Sequence, residues 1–256
     1  MCIRDRCYVI SLSGGSVVAG PELAFVSDSV GQISMAALTS STALLCYLDT
    51  IQASHTLCRE MSVSGDTVTA GAATSVYSSP GCSNSNCLGL YTSVASYGAS
   101  TGLVCYYVGD DNHVECQLLT VINGVVSSIG STTVYASRSR GVAVTSHWVA
   151  DGAALAILCW FSDHDTMCTR LEVGVTSTGV GSIHADDALV VRETSSGSYG
   201  MASAMFDDYS ATVCYNSQDS STIRGYCNYL MSTCASQESA RVHQTHERSL
   251  ARHTCS

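Results

Sequence analysis

The apolar pentapeptide Ala43-Leu44-Leu45-Cys46-Tyr47 is the first of four similar stretches in this chain. Each is a run of strand-forming residues that ends in a cysteine followed by an aromatic residue. The other three begin at Gly102, Ala156 and Ala211, and the four cysteines are separated by 59, 54 and 55 residues. A fixed period of this length is typical of repeat architectures, so the sequence predicts units of ~55 residues.

Each unit contains a second cysteine, and a glycine follows it at a nearly constant distance. The second cysteines are Cys58, Cys116, Cys168 and Cys227, and in the first three units the glycine comes 13 or 14 residues later. Cys7 and Gly20 are also 13 residues apart. We therefore expect the N-terminal stretch to be the second half of a truncated unit.

The pattern within one unit predicts four short strands. In the first complete unit they are Gln32 to Leu38, Ala43 to Leu48, Thr56 to Val63 and Thr67 to Tyr77. The second is apolar on both faces and so is expected to be buried on both sides. Ser64-Gly65-Asp66 and, in the next unit, Asn123-Gly124 are hairpin turn signals. Four strands per unit predict an all-β fold, an incomplete β-propeller built of four-stranded ~55-residue blades; a β-trefoil-like or other all-β repeat is the alternative.

These units give the following predicted organisation of the chain. It comprises a segment foreign to the fold (1–6), the second half of a truncated blade (7–30), a blade (31–79), an inserted loop (80–88), two further blades (89–137 and 138–193), a damaged blade (194–234) and an irregular tail (235–256) whose nativeness is open. Residues 1–6 resemble the translation of a sequencing adapter. From about residue 7 to 230 the chain resembles an uncharacterised cysteine-bearing β-propeller-type repeat of unicellular eukaryotes, a resemblance that implies no activity.

Composition excludes several classes of protein. The chain has 256 residues, of which 46% are hydrophobic and 12% are charged, so it is neither disordered nor a long-helix protein. Its formal net charge is −10, which argues against a nucleic-acid surface because no basic stripe is present to neutralise phosphates. Its longest apolar run, from Gly152 to Phe161, is about half of what a membrane-spanning helix needs. Its oligomeric state is left open.

The cysteines predict disulfides between neighbouring strands. The two cysteines of a unit lie near the end of the second strand and the start of the third, where antiparallel pairing brings facing residues close enough to be bridged. The predicted bridges are Cys46–Cys58, Cys105–Cys116, Cys159–Cys168 and Cys214–Cys227, with Cys82–Cys87 in the inserted loop. Free, buried cysteines are the alternative. Disulfides would place the protein outside the cell, on its surface or in a lumen.

Acidic residues recur in the loops between second and third strands. The candidate ligand-binding residues are Asp49, Asp110, Asp111, Asn112, Asp163, Asp165 and Asp219. Carboxylate and amide oxygens suit calcium, for which Asp110, Asp111, Asp163 and Asp165 are the candidates, although no firm metal site and no other cofactor is predicted. Solvated turns are the alternative, because Asp and Asn are favoured there for their own backbone hydrogen bonds.

No catalytic motif is recognisable in the sequence. The acid pairs Asp186-Asp187 and Asp207-Asp208 suit general acid–base chemistry, but nothing fixes their geometry. The repeated aromatics Tyr47, Tyr106, Trp160 and Tyr215 are expected to be core between blades, with a sugar-binding groove as the alternative. We therefore expect a binding or adhesion module with a glycan or protein ligand, carbohydrate foremost, and no enzyme activity. The alternatives are a structural scaffold and a propeller glycoside hydrolase or lyase.

Overall fold

The chain folds entirely into β-strands. The computed structural model describes residues 2–3, 6–13, 15–26, 30–49, 55–77, 92–108, 113–135, 139–148, 153–162, 165–175, 181–193, 201–207, 210–219, 222–233, 242–245 and 248–254. These residues contain no helix, and therefore none that is long and apolar enough to cross a membrane. Four successive sheets, antiparallel except at the C-terminal edge of the last one, form a β-propeller arrangement, which confirms the predicted fold class.

We number the four sheets blades I to IV in chain order. Blade I contains β6 (Val30–Ala37), β7 (Thr42–Asp49), β8 (His55–Ser64), β9 (Thr67–Ala70) and β10 (Thr74–Tyr77); blade II contains β11 (Thr92–Ser96), β12 (Thr101–Val108), β13 (His113–Ile122) and β14 (Val125–Tyr135). Blade III contains β15 (Ser139–Trp148), β16 (Ala153–Ser162), β17 (Asp165–Val175), β18 (Gly181–Ala185) and β19 (Leu189–Glu193). Blade IV contains β20 (Met201–Asp207), β21 (Ser210–Asp219) and β22 (Thr222–Thr233), with β23 (Val242–Thr245) and β24 (Arg248–Thr254) at its edge.

An N-terminal partial sheet precedes blade I. It contains β1 (Cys2–Ile3), β2 (Arg6–Cys7) and β5 (Leu23–Ala24), while β3 (Ile10–Ser13) and β4 (Ser16–Ala19) form a separate two-stranded hairpin. Cys7 and Phe25 from this part are buried against Leu45, Tyr47 and Met61 of blade I. Cys7 is also disulfide-bonded, and its neighbour in the ladder is Cys2.

The first strands of the four blades lie side by side and form the innermost layer. Such a strand is paired on one edge only, which leaves backbone N–H groups without a ladder partner. A hydroxyl from the preceding blade accepts one of these N–H groups at each of the three boundaries. The three bonds are Val94 N to Ser34 Oγ (3.0 Å), Val144 N to Ser93 Oγ (2.9 Å) and Met205 N to Thr145 Oγ1 (3.2 Å).

The four disulfides predicted within blades are present. They are Cys46–Cys58, Cys105–Cys116, Cys159–Cys168 and Cys214–Cys227, and each pair faces across the ladder between the second and third strands. Bonds that close such short loops each stabilise the fold by roughly 2 to 3 kcal/mol, since they restrict the unfolded chain. Four disulfides indicate an oxidising environment. The predicted Cys82–Cys87 bridge lies outside the described residues.

Aromatic residues pair across each boundary between blades. The residue after the first cysteine of a blade is buried and packs on an aromatic ring from the preceding sheet. The pairs, with their centroid separations, are Tyr47 with Phe25 (5.3 Å), Tyr106 with Tyr77 (5.3 Å), Trp160 with Tyr135 (5.0 Å) and Tyr215 with Phe161 (6.1 Å). The expectation that these residues are core between blades is therefore confirmed.

The outer strand of blade I differs from the sequence prediction. The single strand predicted from Thr67 to Tyr77 is divided into β9 and β10, which pair with different parts of β8. The break begins at Gly71, whose N–H bonds Glu60 O at 2.8 Å. A Cβ on Gly71 would lie only 2.7 Å from Gly124 O of blade II. The close approach of the next blade explains why the strand bends there and why the position is glycine.

Candidate functional site

The ends of the second strands and the starts of the third strands share one end of the propeller, which we call the upper face. They share it because the first strands run in the same direction around the centre. Each second strand ends beside the start of the first strand of its own blade, as the pairs Asp49–Val30 and Ser162–Ser139 show. Asp49 ends β7 and Asp219 ends β21, while Asp165 begins β17. The fold therefore brings these three predicted residues to one face.

The predicted site residues differ in how far they can be described. Asp49 is 5% exposed, whereas Asp165 is half-buried. For Asp219 only the backbone position is described. Asp110, Asp111, Asn112 and Asp163 lie outside the described residues.

The calcium hypothesis gains no support from the described part of the chain. Within it, no three His, Cys, Asp or Glu side chains come together in a way that would hold a metal ion. Three of the four predicted calcium ligands fall outside the described residues, so calcium binding at the loops stays a prediction.

The repeated tyrosines have a structural role. Their hydroxyls accept hydrogen bonds from the residue that follows the second cysteine: Arg59 Nη2 to Tyr47 (2.7 Å), Gln117 Nε2 to Tyr106 (2.7 Å) and Asn228 Nδ2 to Tyr215 (3.1 Å). In blade III the aromatic is Trp160, which cannot accept, and the partner position holds Thr169, whose hydroxyl donates to Asp186 O at 2.7 Å. The sequence analysis did not predict this pairing, although its two positions are fixed in every unit: one follows the first cysteine and the other follows the second.

Blade II carries a polar cluster beside its buried tyrosine. Glu115 accepts from Gln117 Nε2 at 3.2 Å, and its other oxygen lies 3.7 Å from His113 Nε2. The side chains of Glu115 and His113 are 20% and 15% exposed. Burial, followed by the nearby Glu115 carboxylate, raises the pKa of Tyr106 above its usual value. Leu57, Met167 and Tyr226 occupy the equivalent position of Glu115 in the other blades.

Glu115 was not among the residues predicted from the sequence. The signal that would have found it is the break in the repeat, a carboxylate at a position where the other units place a large apolar or aromatic side chain. Its strand, β13, begins directly after the loop that contains Asp110, Asp111 and Asn112. Glu115 is therefore the described carboxylate nearest in sequence to that predicted loop.

The predicted acid pairs do not form a site among the described residues. Asp186 follows β18, away from the innermost strands, and its carboxylate pairs with Arg170 Nε at 3.0 Å. Asp187 is exposed. Asp207 ends β20 with only its backbone described, and Asp208 lies outside the described residues.

Comparison with known proteins gives no relative by sequence. No family model matches the chain, and no curated protein matches it.

Solved structures do share the fold. The leech intramolecular trans-sialidase, complexed with 2,7-anhydro-Neu5Ac, has a TM-score of 0.54 at 12% identity over 83% of this chain. The intramolecular trans-sialidase from Ruminococcus gnavus and the NanB sialidase from Streptococcus pneumoniae both have TM-scores of 0.51, at 8% and 11% identity over 84% and 85% of this chain. The chain spans only 34%, 55% and 39% of those three proteins. At such identities the likeness establishes the propeller fold.

These neighbours overturn the prediction of a binding module without enzyme activity. Every one of the three is a sialidase or trans-sialidase, so the glycoside hydrolase alternative is better supported. The prediction was wrong because it relied on local motifs. In a propeller, residues from different blades meet at one face, and such residues are tens of positions apart and leave no short motif.

Proposed function

We propose that this chain is the blade region of a propeller glycoside hydrolase that acts on glycans at the upper face, with sialic-acid-bearing glycans as its first substrate class. The observation that carries this proposal is the shared fold with three sialidases and trans-sialidases over more than four fifths of the chain. The acidic residues of the second-to-third hairpins support it, because glycoside hydrolysis depends on carboxylates that flank the scissile bond.

Glu115 is the residue that we assign as general acid–base. Its carboxylate is partly exposed and lies beside His113, and Gln117 fixes its orientation through a hydrogen bond. A partly exposed carboxylate that a side-chain amide holds in place suits transfer of a proton to a leaving oxygen. Asp110 and Asp111, from the preceding loop, are our candidates for the second carboxylate that the chemistry needs.

Tyr106 acts as a positioning residue in this proposal. Sialidases differ from most glycosidases in using a tyrosine nucleophile, so a tyrosine near a glutamate has to be considered for that role. Tyr106 is only 1% exposed, and its pKa is raised rather than lowered, so its hydroxyl neither reaches a sugar nor ionises readily. Instead it packs between blades and shares Gln117 with Glu115.

An anionic sugar also needs a cationic partner. Arg140 lies near the upper end of β15 and is the one arginine on an innermost strand among the described residues. Guanidinium groups bind carboxylates with paired hydrogen bonds, which makes Arg140 our candidate for the sugar carboxylate. The four disulfides support a secreted, cell-surface or lumenal enzyme.

The variant Glu115→Gln tests the assignment in protein made in an oxidising host. We expect kcat on a fluorogenic sialoside to fall by about 100-fold or more, because general acid–base catalysis contributes 10²- to 10⁴-fold. Glu172→Gln is the matched control, since Glu172 is 49% exposed on blade III and should leave kcat unchanged. No turnover by the unaltered chain on the sialoside or on neutral glycosides would refute the hydrolase proposal. Full activity of Glu115→Gln would refute only the role of Glu115.

A further inference from the structure

The innermost strands of blades I and III each contain a β-bulge close to the upper face. In blade III, Gly141 has no ladder partner and lies between Arg140 and Val142, which pair with consecutive residues of β16. In blade I the unpaired residue is Gln32. Each unpaired residue immediately precedes the one that is opposite the buried aromatic residue of its blade. Because a bulge bends its strand and redirects the neighbouring side chains, both bulges act where an innermost strand reaches the upper face.

The two bulges differ in backbone conformation. Gly141 has a φ of +63°, in the left-handed region that glycine adopts without strain, whereas Gln32 has a negative φ. Blade I therefore bends its innermost strand at this place without a glycine. The bend itself does not explain why blade III uses the glycine type of bulge, so the explanation lies in what the bulge does to the adjacent residue.

Packing holds the bulge of blade III in a single conformation. A Cβ on Gly141 would lie 2.7 Å from Cδ2 of the Phe161 ring. Phe161 is 5% exposed and packs edge-on against Tyr215 of blade IV, with ring centroids 6.1 Å apart. The ring cannot move aside without opening the boundary between blades III and IV. The direction of the strand at Arg140, the residue before the bulge, is therefore fixed by this packing.

We propose that Gly141 is a specificity-determining positioning residue, which directs the strand so that Arg140 meets the carboxylate of an anionic sugar at the upper face. This inference rests on the role that the proposed function gives to Arg140. In blade I the position of Arg140 is occupied by Gly31, which has no side chain to direct, and there the bulge is not of the glycine type. A guanidinium binds a carboxylate through two parallel hydrogen bonds, so its binding depends on direction as well as on charge.

A pair of probes tests the inference without requiring turnover. The probes are the α-methyl glycoside of N-acetylneuraminic acid and the methyl ester of the same glycoside, which lacks the negative charge of the carboxylate. Ligand-observed NMR titration gives the dissociation constant of each. We expect the unaltered chain to bind the acid at least about tenfold more tightly than the ester, because the ester cannot accept the charge-assisted pair of hydrogen bonds.

Gly141→Ala should reduce this preference to less than about threefold, because the added methyl group meets Phe161 and alanine is strained at a positive φ, so that the bulge rearranges. Gly65→Ala is the matched control. Gly65 has a φ of +62°, but a Cβ there meets nothing within 4 Å. It lies in the turn between β8 and β9, at the opposite end of the propeller, and the control should keep the full preference.

A composition-matched double variant tests the position of the guanidinium directly. Ser139→Arg combined with Arg140→Ser moves the guanidinium by one residue along β15 and leaves the bulge and the net charge unchanged. We expect this exchange to remove the preference for the acid. If melting curves and disulfide mapping show that Gly141→Ala does not fold, the exchange decides the question.

Full preference for the acid in Gly141→Ala, or in the exchanged variant, would overturn the inference. Equal binding of acid and ester by the unaltered chain, or binding of neither, would also overturn it, while turnover of neutral glycosides by the same chain would leave the hydrolase proposal standing. Conversely, a preference that Gly141→Ala removes, in a chain that turns over no glycoside, would support the inference and refute the hydrolase proposal.

Discussion

At the scale of single residues, glycine marks the points where neighbouring blades touch. A Cβ on Gly130 of blade II would lie 2.5 Å from the carbonyl oxygen of Gly181 in blade III. The contact is with backbone, which cannot rotate away as a side chain can. Packing between blades therefore explains the glycine that recurs at a nearly constant distance after the second cysteine. The sequence showed this spacing but not its cause.

We expect Gly130→Ala to destabilise the fold by about 1 to 3 kcal/mol, because the added methyl group forces blades II and III apart. Chemical denaturation followed by circular dichroism measures the effect. Gly225→Ala is the control, since a Cβ there meets nothing within 4 Å and should change stability by less than about 0.5 kcal/mol. Equal effects of the two substitutions would contradict the packing explanation.

Tyr97 provides a second prediction at this scale. Its hydroxyl is buried without a hydrogen-bond partner among the described residues, and burial raises its pKa. The unfolded tyrosine ionises near pH 10 while the folded one stays neutral, so the ionisation of Tyr97 costs no stability well below pH 10 and lowers stability as the pH rises further.

Tyr97→Phe should therefore stabilise the chain by up to about 1 kcal/mol at neutral pH, since an unpaired buried hydroxyl is removed. It should also lessen the loss of stability between about pH 8 and pH 10.5, measured by denaturation at both values. An unchanged slope with pH would show that Tyr97 ionises normally in the folded state. Leu38 at the equivalent position of blade I indicates that an apolar side chain fits.

At the scale of elements, hydroxyl groups connect the innermost strands. The sequence predicted the strands but not this connection, because the residues around a serine in a strand do not indicate which group its hydroxyl will contact. The N–H of Val144 donates to Ser93 Oγ at 2.9 Å, from one blade to the next. The bond satisfies a donor that lies on the unpaired edge of β15.

Ser93→Ala removes this acceptor and should cost about 0.5 to 1.5 kcal/mol of stability. Hydrogen exchange at the Val144 amide should accelerate, while amides of the outer strand β14 keep their rates. The control is Ser127→Ala on the exposed side of β14, which should leave both quantities unchanged. If the Val144 amide exchanges at its original rate in Ser93→Ala, the bond does not hold the two strands.

At the scale of the whole molecule, the sequence predicted architecture far better than activity. The period of the Cys-aromatic stretches and the alternation around Asn123-Gly124 are local signals, and they sufficed for the blades, the turns and the four disulfides. Glu115 was missed because the repeat was used for its matches and not for its exceptions: the carboxylate replaces a large apolar or aromatic side chain, and its partners Gln117 and His113 lie two residues away on the same strand. The expectation of no enzyme relied on the absence of a short catalytic motif, and a propeller can bring residues from different blades to one face without such a motif.

The measurement that most directly tests the proposed activity is the fate of 3′-sialyllactose incubated with the purified, disulfide-bonded chain and followed by proton NMR. A propeller glycoside hydrolase should release lactose, and a single released form of the sugar acid should appear at the same rate. Intact trisaccharide after prolonged incubation, with circular dichroism showing folded protein, would contradict the account.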